Sequence, residues 1–157
     1  MADQLYWEDV EVGTDVPELT IHITTQKMVM WAAAGESYPQ IHYDPYFARE
    51  VAKNPDVIVH GFQKHAYLGR MLYEWVKPAG QVLEYGCQFR GMDFPNQDLT
   101  CHAVVRRKYQ EEGLNYVDLD IWTEAGPSVD DGRPKNPVGA KTSPGTGRVS
   151  LPSRATR

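Results

Sequence analysis

The sequence predicts an α+β domain in which an antiparallel sheet of about five strands wraps around one long helix. Residues 61–76, GFQKHAYLGRMLYEWV, form the longest helical pattern, with Gln63, Arg70, Glu74 and Tyr67 on one stripe and nearly everything else apolar or small. So narrow a polar stripe marks a mostly buried helix, which Pro78 and Gly80 terminate. Beyond it the period changes to two. Leu83, Tyr85, Cys87 and Phe89, then Leu99, Cys101, Ala103 and Val105, then Val117, Leu119 and Ile121 alternate with other residues, as antiparallel strands do. With 157 residues the chain is long enough to bury its own core, so residues 1–157 are read as one domain.

The remaining elements follow in order. Gly13 and Pro17 punctuate the N-terminal stretch, and the β-branched run TIHITT over residues 20–25 predicts a strand. Thr25 is expected to cap a short helix, QKMVMWAAAG, that Gly35 stops. Asp44 followed by Pro45 predicts a cap and first turn for a second short helix, PYFAREVAK. EEG over residues 111–113 reads as a tight connection. Residues 127–146, rich in Pro, Gly and charge and without periodicity, read as a long loop. GRVSLP supplies a last strand. A sheet of this kind has an open edge and face, which pairing with a second copy or a related chain would bury; a dimer is expected.

Composition narrows the function. A formal charge of -5 argues against nucleic acid, and the one dense basic cluster, Arg106, Arg107 and Lys108, reads first as a solvated strand edge. No apolar run approaches the ~18 residues that span a bilayer, and MADQLYWEDVEVG is acidic and aromatic, so a cytoplasmic protein without a membrane partner is expected. Cys87 and Cys101 lie in strand-like segments and are expected to be buried thiols. His22, His65 and His102 lack paired ligand spacing, and no metal is assigned.

The chemistry concentrates in GESYPQIHYDPYFARE, over residues 35–50, and NPDVIVHGF, over residues 54–62. Glu36, His42, Asp44 and His60 lie near Gly61, at the start of the long helix. Unpaired N–H groups and the helix dipole there favour developing negative charge. A carboxylate and an imidazole around one water suit general acid–base work. Asp44 is accounted for as a helix cap and His60 as a structural residue at the helix start.

These segments resemble the MaoC-like acyl dehydratases and (R)-specific enoyl-CoA hydratases, whose signature is Gly-Asp-x-Asn-Pro-Ile-His-x-Asp followed by a His-Gly at the helix of a hot-dog fold. PDVIVHG, FRGMDFPNQDLTC and PGTGRVSLPSR extend the likeness over nearly the whole chain. The resemblance implies a hot-dog domain that adds water to a trans-2-enoyl thioester, or removes it from a 3-hydroxyacyl thioester, with an acyl-CoA substrate and no cofactor. His42 matches the family's catalytic histidine and Gly61 the glycine whose N–H polarises the thioester carbonyl.

The carboxylate has two placements. Five positions before His42 stands Ser37; matching Gly35-Glu36 to the family's Gly-Asp puts Glu36 in the role but needs one extra loop residue. Glu36 is favoured, since serine is no base unaided. The alternatives are a non-catalytic acyl-binding subunit of a heteromeric hydratase, paired as a heterodimer rather than a homodimer, and a hot-dog thioesterase.

Overall fold

A computed structural model describes residues 4–154; the termini of the domain read as 1–157 lie outside the described residues. Strands β1 (Leu19–Ile23), β2 (Gln81–Cys87), β3 (Gln97–Glu111), β4 (Leu114–Ser128) and β5 (Gly145–Ser150) form one antiparallel sheet in the order β1-β3-β4-β5-β2. Helix α1 (Thr25–Ala34) precedes the candidate segment, and α2 (Gly61–Val76) lies against β2 and across β3, β4 and β5. The α+β architecture matches the expectation.

Alternation along the strands builds the core. Leu99, Cys101, Ala103 and Val105 of β3 and Val117, Leu119 and Ile121 of β4 are buried, and Leu68, Met71, Leu72 and Val76 of α2 close onto them. The β3–β4 hairpin turns through Glu112 and Gly113, both with positive φ (50° and 78°), the backbone twist that a two-residue hairpin loop demands. Gly147 of β5 matters by contact: a Cβ there would sit 3.1 Å from Leu72.

Three local expectations shift. Thr24, not Thr25, caps α1, its hydroxyl accepting from Lys27 N–H at 3.2 Å. Leu83 is 41% exposed because a bulge between Val82 and Glu84 moves the inward set to Val82, Tyr85 and Cys87. On α2 the polar stripe does not face water as a unit. Gln63 is buried and donates to Tyr67 Oη at 3.0 Å, while Phe62 and Tyr73 are exposed. Sheet coverage, rather than polarity along the helix, decides which face is wet.

The loop within residues 127–146 is tied down. Its strand-free part, residues 129–144, docks on residues 93–97: Asn136 and Gln97 exchange hydrogen bonds at 3.0 and 2.8 Å, and Lys135 Nζ donates to Pro95 O. Beneath it Lys64 and Asp93, both buried, pair at 2.8 Å, and Lys64 Nζ also donates to Gly91 O at 2.9 Å. This pair joins α2 to the segment between β2 and β3. Asp93→Ala, which strands a buried ammonium, is expected to cost about 3–5 kcal/mol in urea unfolding, and joint replacement by Lys64→Met and Asp93→Leu to recover most of that loss.

Candidate active site

The end of α1 decides which side chain reaches the site. Gly35 N–H closes on Trp31 O at 3.0 Å, yet the left-handed residue is the next one, Glu36, with φ of 47°. Ser37 N–H then returns to Ala32 O at 3.1 Å. That turn leaves Glu36 exposed, and its carboxylate makes no hydrogen bond or ion pair with any described residue. Ser37 is half-buried and points to the histidines, its Oγ 3.1 Å from His60 Nε2.

Residues Gln40–His42 form one 3-10 turn. Asp44 Oδ1 accepts from Tyr46 and Phe47 N–H at 2.9 and 3.1 Å, the expected cap, but the turn it opens, Phe47–Val51, is π-wound. Ile58 N–H reaches back to Ile41 O at 3.1 Å, so the segment before α2 runs beside the His42 turn. Ile58 O in turn accepts from His42 Nδ1 at 2.8 Å. Because a carbonyl only accepts, Nδ1 carries the hydrogen, and the Nε2 of neutral His42 is left with a lone pair.

At the start of α2 every N–H needs a partner outside the helix. His60 is the N-cap: its Nδ1 accepts from Phe62 N–H at 3.2 Å, and its carbonyl accepts from Gln63 and Lys64 N–H. Gly61 N–H, like the N–H of His60 before it, has no acceptor among the described residues. A Cβ on Gly61 would fall 2.6 Å from the Phe89 ring, so glycine is required for that ring's close approach. The His42 and His60 rings lie 4.3 Å apart, and both residues are buried at 8% exposure. Burial, with a smaller contribution from the charge of His42, holds His60 below its ordinary value.

Of the residues expected from the sequence, the structure thus brings His42 and Gly61 to one place, and it sets Ser37 rather than Glu36 against the histidine pair. Sequence reasoning did not find the Ser37–His60 bond or Phe89 over Gly61. The former had a trace in the His-Gly at a helix start; the latter had none. The remaining histidines are engaged elsewhere: His22 with Asp98 at 2.7 Å, His65 stacked on Tyr85, and His102 stacked on Trp122. Among the described residues no group of three or more His, Cys, Asp or Glu could hold a metal. The basic cluster is also engaged, Lys108 donating to Val10 O, Arg107 lying over Tyr109, and Arg106 facing Asp120 at 3.7 Å.

Two stability measurements check this geometry. Glu36→Gly should stabilise the chain by about 1–2 kcal/mol, the cost of a left-handed non-glycine residue, read as a raised urea midpoint. For His60 the sign follows from its lowered value. The unfolded chain binds the proton first, so its contribution is fully present above about pH 6.5 and is lost as pH falls through the folded value. His60→Asn, which keeps a capping oxygen, should flatten the fall in melting temperature between about pH 7.5 and 5.5.

A family model described as a MaoC like domain matches residues 10–121. No curated protein sequence matches the chain. Among solved structures, the (R)-hydratase from A. caviae involved in PHA biosynthesis is 22% identical, with a TM-score of 0.73 over 92% of this chain and 99% of that one. R-hydratase PhaJ1 from Pseudomonas aeruginosa is 17% identical, TM-score 0.76, over 96% and 88%. The ChsH1-ChsH2 complex from Mycobacterium tuberculosis is 14% identical, TM-score 0.71, over 90% and 98%. The structural likenesses identify the curled sheet and its helix as a hot-dog fold, and the family match over residues 10–121 places the chain in the MaoC-like family of hydratases and dehydratases.

Proposed function

We propose that this chain is a hydratase and dehydratase of acyl-CoA thioesters, acting in the cytoplasm, with His42 as the general base and acid. The observation that carries the reading is the tautomer of His42. Its Nδ1–H is committed to Ile58 O, which leaves Nε2 to accept a proton, and the unpaired Gly61 N–H lies at the adjoining helix start.

In hydration, His42 Nε2 takes a proton from water as the water oxygen bonds to C3 of the trans-2-enoyl thioester. The π electrons move to an enolate whose oxygen accepts from Gly61 N–H, where the helix end favours negative charge. His42 then returns the proton to C2. Dehydration is the same path reversed. A groove of about 670 Å³ between α2 and β2, bordered by Gly69, Tyr73, Val82 and Tyr85 and by none of Ser37, His42, His60 and Gly61, runs along the same helix.

A second reading rests on one observation, the serine in the carboxylate's place. An acyl-binding subunit whose related partner supplies the carboxylate would also carry Ser37 beside His60. β2 is an edge strand without a buried residue, and Leu83, Phe62 and Tyr73 are exposed nearby, which supports pairing with a second copy or a related chain. A nucleophilic thioesterase is disfavoured, since His60 Nδ1 accepts from Phe62 N–H and its Nε2 therefore has no lone pair to take the Ser37 proton.

Loss of the enoyl-thioester absorbance band on mixing the isolated chain with trans-2-enoyl-CoAs tests the reading. Turnover is expected, reduced at least about a hundredfold by His42→Ala and left unchanged by Glu36→Gly. Release of free CoA instead, or full activity in His42→Ala, would overturn it. Turnover appearing only after a related chain is added favours the subunit reading.

A further inference from the structure

We propose that Ser37 donates its hydroxyl hydrogen to the oxygen of the reacting water, and that His60 is the positioning residue that fixes it in that role. The proposal rests on the hydratase reading above and assigns a part of the same site that the family resemblance leaves open.

The argument is one of donors and acceptors. His60 Nδ1 accepts from Phe62 N–H at 3.2 Å, so in the neutral ring the hydrogen sits on Nε2. Protonating Nδ1 would set two donors against each other, and burial of the ring works in the same direction. His60 Nε2–H therefore donates to Ser37 Oγ at 3.1 Å. With a lone pair of Oγ taken, the hydroxyl hydrogen of Ser37 is free to turn toward the site. His42, whose ring lies 4.3 Å from that of His60, presents the opposite polarity, a lone pair on Nε2. One imidazole thus orders a donor, Ser37, while its ring packs against that of an acceptor, His42.

A water between them gives a proton to His42 and accepts a hydrogen bond from Ser37, keeping a lone pair for C3. As His42 withdraws the proton, the oxygen acquires hydroxide character, and a donor aimed at it stabilises that developing charge. Read backwards, the same hydrogen bond assists departure of the 3-hydroxyl group. A carboxylate in this position could only accept. The chain therefore runs the reaction with a single base and a fixed donor. The chain Phe62 N–H to His60 to Ser37 is set by the first turn of α2 itself, so the donor costs no reorganisation during the reaction.

The test compares the unmodified chain with Ser37→Ala, His60→Asn and the double variant on a trans-2-enoyl-CoA. Asn keeps the cap on Phe62 N–H but is too short to reach Ser37, and melting temperatures check that each variant folds. Each single variant should lower kcat about 10–100-fold with KM little changed, and the double variant should be no slower than the worse single, as expected of groups acting as a unit. Histidine-ring NMR, independent of turnover, should find His60 as the Nε2–H tautomer and His42 as the Nδ1–H tautomer. Unchanged kcat in Ser37→Ala, a loss carried by KM alone, additive losses, or an Nδ1–H tautomer for His60 would each overturn the proposal while turnover dependent on His42 leaves the hydratase reading standing. Full turnover in His42→Ala, or none in the unmodified chain, overturns that reading and this proposal together.

Discussion

The site depends on how the first turn of α2 satisfies its backbone. A helix start carries four N–H groups without intrahelical acceptors, and here two of them, those of Phe62 and Gln63, are taken by one residue, His60, through its ring nitrogen and its carbonyl. That single cap has two results. It leaves Gly61 N–H unpaired, and it forces the His60 ring into the tautomer that faces Ser37 with a hydrogen. A residue that appears structural when viewed from the helix is therefore also what orders the polar groups around His42.

The second constraint is the segment between β2 and β3. Phe89 covers Gly61, and the Lys64–Asp93 pair ties the segment to α2 one turn further along. Burying an ion pair is costly unless its remaining hydrogen-bonding capacity is met. Gly91 O accepts from Lys64 Nζ, and Asn136 donates to Asp93 Oδ1 at 3.3 Å, so the long loop contributes to the same polar network. Helix α2 and the long loop are thus joined through side chains that lie far apart in the chain. The sheet side of α2 is fully engaged, whereas Phe62 and Tyr73 on its other side are left to solvent in the isolated chain.

How much of this could be read in advance divides by range. Strands β3 and β4 and helix α2 were legible because their apolar residues repeat with the period of the element, and Asp44 because its cap bonds only to the next three residues. Leu83 faces outward because a bulge is set by strand pairing, which local alternation does not record. His42 and Gly61 were identified from their place in a motif. The sequence favours Glu36 over Ser37 on basicity, but both lie within one turn of the end of α1, and the dihedral angles that follow it, which residue type does not record, set Ser37 against the histidines.

By itself, then, the sequence determined the kind of fold, the buried helix, and a histidine near a glycine at that helix's start, all of which follow from periodicity and from residues adjacent in the chain. Only the tertiary structure decided the direction of the polar groups. The left-handed turn at Glu36 sends the carboxylate outward and Ser37 inward. The tautomers of His42 and His60 follow from Ile58 O and Phe62 N–H. Hydrogen-bond polarity depends on which groups meet in space, and for Ser37 and His60 that meeting spans 23 residues.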